Sequence, residues 1–278
     1  MRAYVQAAPL GAILAGFLLV PLLAILVVSF WDYDSVQVIP AFTLQNYVDV
    51  LGSAVTWRTY GNTLYYAALT WAVTLPLGFA VALYLAFAVR GAALQTTLFL
   101  VCSVPFLTSN IIRMIAWVPS LGRNGLVNGA LLALHVIGAP LEQLLFSDFA
   151  IILAFVHLYS LFMIVPIFNA MMRIDRRLIE AARDQGAGPI GIVWNVIVPL
   201  CRPGIGIGTT FVVTLVMGDF ITVRLMGGGQ RASVGLMISN QIGLLQYPAA
   251  CANAVVLLAV VLLLVGAILY VADIRREL

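Results

Sequence analysis

The chain has 278 residues, 63% of them hydrophobic and only 9% charged, and its mean hydropathy of +1.08 lies well outside the range of soluble domains. All fourteen basic residues are arginine and they sit at the ends of apolar runs, so the net charge of +3 describes topology in a membrane and not a lysine-rich face for nucleic acid. The sequence is that of an integral membrane protein.

A spanning helix takes about 20 mostly apolar residues, and six runs qualify: about 8–30, 60–89, 94–112, 149–172, 204–223 and 250–272. The expected fold is all-α, with six transmembrane helices. The first run follows Arg2, is long for a signal-peptide core and ends in Ser29-Phe30-Trp31-Asp32 without a small-residue cleavage pattern. It is read as an uncleaved anchor, so residues 1–59 form an anchor helix with the first outer segment and residues 60–278 form the core. With the N-terminus inside, the inner segments hold nine arginines (Arg2, Arg90, Arg173, Arg176, Arg177, Arg183, Arg202, Arg275, Arg276). The outer segments hold five, Arg58, Arg113, Arg123, Arg224 and Arg231. The positive-inside rule then places both termini in the cytoplasm.

Three outer segments, 31–59, 113–148 and 224–249, are each too short for a soluble domain. The middle one, with Gly125, Gly129 and the apolar stretch 130–137, suggests a short helix at the outer interface or dipping back, on which His135 is an interfacial side chain. Before it, the third span starts near Leu94, so at 1.5 Å per residue Pro105 lies about 16 Å up, near mid-bilayer. Thr108, Ser109 and Asn110 come directly after it. A proline and three polar side chains at that depth fit a broken helix lining a cavity; polar helix–helix contacts are the other reading. The fourth span brings His157, Tyr159 and Ser160 to a similar depth, with His157 either packed and hydrogen-bonded or a ligand. Cys102, Cys201 and Cys251 and the two histidines show no paired spacing, so neither a disulfide framework nor a metal site is suggested.

Between the fourth and fifth spans, the segment 173–203 is polar and broken by glycine and proline. Leu178 to Gln185 is a good helix former, Gly186-Ala187-Gly188 a break, and Pro189 suits the first turn of a second helix reaching about Ile197 before Pro199. Arg173, Arg176 and Arg177 fit anchoring to lipid headgroups. Glu180 and Asp184 share a helix face. Ile190, Val193, Trp194 and Ile197 share another, an apolar ridge that lies on the bilayer or packs into a groove of another protein. In the fifth span Asp219 interrupts the apolar "TLVMGDFITV". It supplies an opposite charge to a cationic solute, or pairs with Arg224 or Arg113 to hold helix ends together. Tyr65, Tyr66 and Trp117 either stack on a cation or belong to the interfacial aromatic belt.

The spacing Glu180-Ala181-Ala182, Gly186, then Val196, Val198 and Pro199 resembles the signature loop of permease subunits of binding-protein-dependent ABC importers, with valines in place of the usual isoleucine and leucine. The stretches Val104–Asn128, Leu161–Met171, Met217–Gly229 and Gln246–Val255 look like those of spermidine and putrescine importers, specifically the first of their two permeases. The resemblance covers nearly the whole chain. It implies a type I importer permease whose loop is the coupling helix docked on an ATP-hydrolysing subunit, a role carried by Glu180, Ala181, Ala182, Gly186 and Pro199. It further implies two ATPase copies holding ATP and magnesium, a second permease, an extracytoplasmic solute-binding protein, a bacterial inner-membrane location, and no cofactor in this chain. The candidate solute path is Thr108, Ser109, Asn110, His157, Tyr159 and Asp219. Permeases for opines, ferric iron or other organic ions share much of this scaffold. A secondary transporter would need coupling-ion sites, and the absence of a GxxxxGK[ST] loop leaves ATP hydrolysis to another chain.

Overall fold

The computed structural model of the chain describes residues 2–34 and 37–272; the inner arginines Arg275 and Arg276 lie outside the described residues. Helix α1 (Arg2–Val28) leads through a two-residue antiparallel pairing of β1 (Asp32–Tyr33) with β2 (Val38–Ile39) to α2 (Gln45–Gly52) and α3 (Ala54–Leu83), which runs on through a π turn at Tyr84–Ala88. Helix α4 (Ala92–Ser103) ends in a 3-10 turn (Val104–Leu107), and α5 (Asn110–Leu121), α6 (Leu126–Ala133) and α7 (Asp148–Met172) come next. Then come α8 (Arg176–Asp184), α9 (Pro189–Ile192), a second π turn (Val193–Ile197) and α10 (Val198–Leu200). The chain ends in α11 (Arg202–Gly218), α12 (Ile221–Gly227), α13 (Val234–Gly243) and α14 (Tyr247–Val271).

Three helices are long and apolar enough to cross a membrane, Ala54–Ala88, Asp148–Met172 and Tyr247–Val271, and two bent pairs are so when each is taken as one span. With α1, whose apolar part Ile13–Val28 is shorter, they correspond to the six apolar runs of the sequence. The second span begins six residues earlier than expected because Ser53 caps it, its Oγ accepting from Thr56 N at 3.3 Å. The third run, 94–112, is broken after Leu107, as the broken-helix reading of Pro105 and Thr108 to Asn110 expects, and bends by 86° into α5. Pro105 stands in the first turn of the 3-10 segment, and Thr108 closes that turn by giving both its N–H (3.3 Å) and its hydroxyl (2.7 Å) to the Pro105 carbonyl. The fifth run stops at Gly218, short of the expected 223.

The chain forms two compact units. In the unit of Met1–Gly61 and Val234–Leu262, Asn46 Nδ2 takes up the carbonyls of Ser29 (3.0 Å) and Trp31 (2.8 Å) past the end of α1, and Tyr60 donates to the Asn253 carbonyl at 3.1 Å. In the unit of Asn62–Ser233 and Leu263–Leu278, α7 is central and buries Ile151, Phe155, Met163, Ile167 and Met171. Ser147 caps α7 by accepting from Ala150 N (3.2 Å), and Asp148 in its first turn complements the helix dipole. That carboxylate also receives Tyr66 (2.8 Å) and Arg231 (3.2 Å), so Tyr66, 2% exposed, is no platform for a solute.

The seam between α7 and α11 is closed by missing side chains. A Cβ on Gly204 would lie 2.6 Å from the Pro166 carbonyl oxygen, and one on Gly208 would lie 2.8 Å from Met163 Sδ. These glycines stand four apart on one face, the small-residue spacing that lets membrane helices approach closely. Trp71 adds a bond from α3, its Nε1 donating to Thr209 Oγ1 at 3.0 Å.

Candidate functional site

Two polar regions stand out, one at each end of α11. The first is the segment from α8 to α10. Asp175 caps α8 through Arg177 N (3.0 Å), and Arg183 in the last turn complements the dipole. The helix closes on Gly186, whose φ is +84°. Ala187 N bonds back to the Ala182 carbonyl (3.0 Å) and Gly186 N to that of Arg183 (2.9 Å), the paired bonds of a Schellman cap. Nothing lies within 4 Å of where a Gly186 side chain would be, so the demand for glycine is backbone conformation and not space. Glu180 and Ala181 are exposed and Ala182 half-buried.

The apolar ridge expected on the second half is corrected. Ile190 (76% exposed) and Trp194 (66%) do face outward, whereas Ile197 is buried together with Ile192. The π turn at Val193–Ile197 holds an extra residue and rotates the rest of the helix about its axis, so the four side chains do not share a face. Pro199 does not end the helix either. It stands in the first turn of α10, directly after the wide turn that has already displaced the i→i−4 pairing, and the stop falls at Cys201, before a 69° bend into α11.

The second region lies where α11 stops. Asp219 ends α11 in an extended conformation and its carboxylate turns to the start of α12: Oδ1 accepts from Thr222 N (2.9 Å), and Oδ2 from the Thr222 hydroxyl (2.8 Å) and the Tyr159 hydroxyl (2.6 Å). Neither Arg113 nor Arg224 takes this carboxylate, so the pairing with an arginine does not form. The spacing Asp219-x-x-Thr222 is a helix N-cap pattern; reading 204–223 as one span hides it.

Asn110, Tyr159 and Asp219 line one cavity of about 340 Å³, joined by Met114, Thr214 and Thr222. Thr108, Ser109 and His157 are not part of its wall. Thr108 and Ser109 are exposed at the α4–α5 break, and Ser109 precedes α5 without a side-chain cap bond. His157 Nδ1 accepts from Trp117 Nε1 at 2.9 Å with the rings edge to face, which uses the one donor of Trp117 and one of the two ring nitrogens of His157. Arg113, which hydropathy assigns to an outer loop, is buried in α5, and its Nη2 donates to Asn110 Oδ1 at 2.5 Å. Among the described residues no cluster of histidine, cysteine and carboxylate side chains has the makings of a metal site.

Residues 74–274 match the family described as binding-protein-dependent transport system inner membrane component. The chain belongs to that family. It is the permease subunit of an ABC importer, a multi-pass membrane protein and not an enzyme. The permease is 32% identical over 229 residues to the spermidine/putrescine transport system permease protein PotB of Haemophilus influenzae, covering 81% of this chain and 78% of that one. It is 30% identical over 243 residues to PotB of Escherichia coli (strain K12), 87% of each chain. Its fold matches a chain of the bacterial alginate ABC transporter solved in complex with an alginate pentasaccharide-bound periplasmic protein, with a TM-score of 0.78 at 16% identity over 99% of this chain and 95% of that one.

Proposed function

We propose that this permease is one of two membrane subunits of a polyamine importer, and that spermidine or putrescine passes beside Asn110, Tyr159 and Asp219. The observation that carries the solute is the likeness to PotB proteins at 30 to 32% identity over more than four fifths of the chain. A carboxylate and a tyrosine hydroxyl at one cavity are in keeping with an organic cation. A second, similar permease completes the path, an extracytoplasmic binding protein delivers the solute, and two ATPase copies beneath hold ATP and magnesium. The alginate importer, seen with a periplasmic protein, supports that kind of assembly.

The segment from α8 to α10 is the joint to the ATPase. Its exposed Glu180, Ile190 and Trp194 are available to a partner, and the Schellman cap at Gly186 fixes the angle at which α8 and α9 meet it. ATP-driven closure of the ATPase pair draws the two joints together, and the 69° bend at Cys201 passes the movement into α11, whose far end carries Asp219.

The test is uptake by vesicles holding the permease with its co-encoded partner subunits. ATP-dependent import of labelled spermidine from loaded binding protein is expected; ATP hydrolysis without import, or import of another solute only, overturns the polyamine reading. Topology is read separately. Reporters fused after Arg90, Arg183 and Arg276 should face the cytoplasm and those after Asp49, Asn128 and Gly229 the outside, and an outward-facing Arg183 removes the joint.

A further inference from the structure

Arg113 is the one charged side chain among the buried polar groups of the described residues, 8% exposed on α5. Its Nη2 is held by Asn110 Oδ1, its Nε is buried with no partner, and neither of the ion pairs Arg123–Glu142 and Arg231–Asp148 includes it. A guanidinium presents five N–H donors and no acceptor, and the described residues accept from only one of its nitrogens, Nη2. Holding such a charge largely out of water with no carboxylate paired to it among the described residues is unfavourable.

The charge stands next to the cavity. Asn110 and Tyr159 line the wall, and Arg113 lies within electrostatic reach of Tyr159 and His157. On the same wall Asp219 is already bonded by three donors. A cation in this cavity therefore meets one negative charge whose lone pairs are largely occupied and one positive charge without a counter-ion among the described residues.

We propose that Arg113 limits how long a cationic solute stays: its uncompensated charge offsets Asp219, so a polyamine enters the cavity and leaves it again instead of being trapped. A transport site must bind well enough to be entered and weakly enough to be left. The proposal rests on the reading of the solute as a polyamine and goes beyond it, because it assigns a residue to the speed of release.

The experiment uses the full complex in vesicles, with labelled spermidine and putrescine as probes. Arg113→Met removes the charge, Arg113→Gln removes it but keeps a donor for Asn110, and Arg113→Lys keeps the charge. For the two neutral variants KM should fall about tenfold, the scale of one unit charge acting across roughly 12 Å at an effective dielectric constant of about 20, and kcat should fall several-fold. The change should be larger for spermidine, which carries one more positive charge than putrescine, and Arg113→Lys should stay near wild type. A raised KM in the neutral variants overturns the proposal and makes the guanidinium a contact for an acceptor on the solute. Unchanged kinetics overturn it, as does failure of both neutral variants to assemble while Arg113→Lys assembles, which makes the charge structural. If Arg113→Met alone fails to assemble, Arg113→Gln decides. No polyamine uptake by wild type overturns the polyamine reading and this proposal together, whereas wild-type uptake with unaltered variants overturns this proposal alone.

Discussion

In the segment from α8 to α10 nearly every polar contact is made with a near neighbour in sequence: Asp175 caps Arg177, and Gly186 and Ala187 close on Arg183 and Ala182. Around Asp219 the partners come from far along the chain, with Tyr159 60 residues away and the adjoining pair Trp117 and His157 40 residues apart. The first region holds its shape by itself and leaves Glu180, Ile190 and Trp194 exposed, as suits a part that moves as a unit against another protein. The second locks α5, α7, α11 and α12 to one another, so any opening of the cavity has to break or exchange one of those bonds. The proposed joint calls for local rigidity and a free face; the proposed solute path calls for a network that can be undone.

The glycine seam of α11 connects the two, and disturbing it should produce the largest effect. Gly204→Val would drive two methyl groups toward the Pro166 carbonyl and Ala170 Cβ, backbone and side-chain atoms that have nowhere to go. Overpacking of this kind costs about 3 kcal/mol, so the variant should fail to accumulate as a detergent-stable complex, with both regions lost together. A normal yield with a normal melting temperature would mean that α7 and α11 slide apart cheaply.

Next in size is the network around Asp219. Asp219→Asn keeps the shape but turns one acceptor into a donor facing the Tyr159 and Thr222 hydroxyls, a loss of about 2 kcal/mol in the network. Uptake should drop by at least tenfold while the complex and its basal ATP hydrolysis survive. Tyr159→Phe sharpens the result by removing one donor and leaving the carboxylate charged. If the charge serves the solute, Tyr159→Phe should keep most uptake; if the network serves only to hold helices, both variants should lose thermal stability and uptake alike.

The same contrast explains which features are legible in the sequence. The six apolar runs, the α8 helix, the glycine break and the start at Pro189 all arise from local composition and are readable as such. The π turn, which buries Ile197 and carries the helix past Pro199, is not, because its cause lies in packing against the rest of the unit. Asp219 is conspicuous as an acid in a span, but finding its partners requires knowing that the span ends at Gly218. Arg113 falls in a loop by hydropathy for a related reason: the 86° bend after Leu107 turns an apparent outer segment into a helix with a buried face. The Gly204–Gly208 seam carries a readable signal, small residues four apart in an apolar run, that a count of spans passes over.

A smaller effect is expected at the turn of the joint. At a φ of +84° a β-branched residue is strained, so Gly186→Val should cost about 1–2 kcal/mol locally. Because the cap is self-contained, the loss should stay in the segment: membrane insertion and spermidine binding by the partner protein are unchanged, while co-purification of the ATPase and solute-stimulated hydrolysis fall together. Gly186→Ala should show the same pattern more weakly. A variant that keeps the ATPase but loses solute uptake would contradict the confinement of the effect to the joint.

The smallest change in stability, and the most specific in function, is expected from Glu180→Ala. Glu180 is exposed and its carboxylate makes no hydrogen bond or ion pair within the described residues, so the substitution should leave the fold within about 0.5 kcal/mol and the melting temperature unchanged. A carboxylate left free on the exposed side of α8 contributes only when a basic group of a partner reaches it. Assembly with the ATPase, for which the proposed joint also offers the exposed Ile190 and Trp194, should therefore survive, with the ratio of solute imported to ATP hydrolysed reduced several-fold. Raising the salt should narrow the difference between wild type and variant, since a pair at a partly wet interface is screened. A variant with wild-type coupling at low salt would show that the free carboxylate meets nothing in the complex, and the joint would then rest on the apolar pair Ile190 and Trp194 alone.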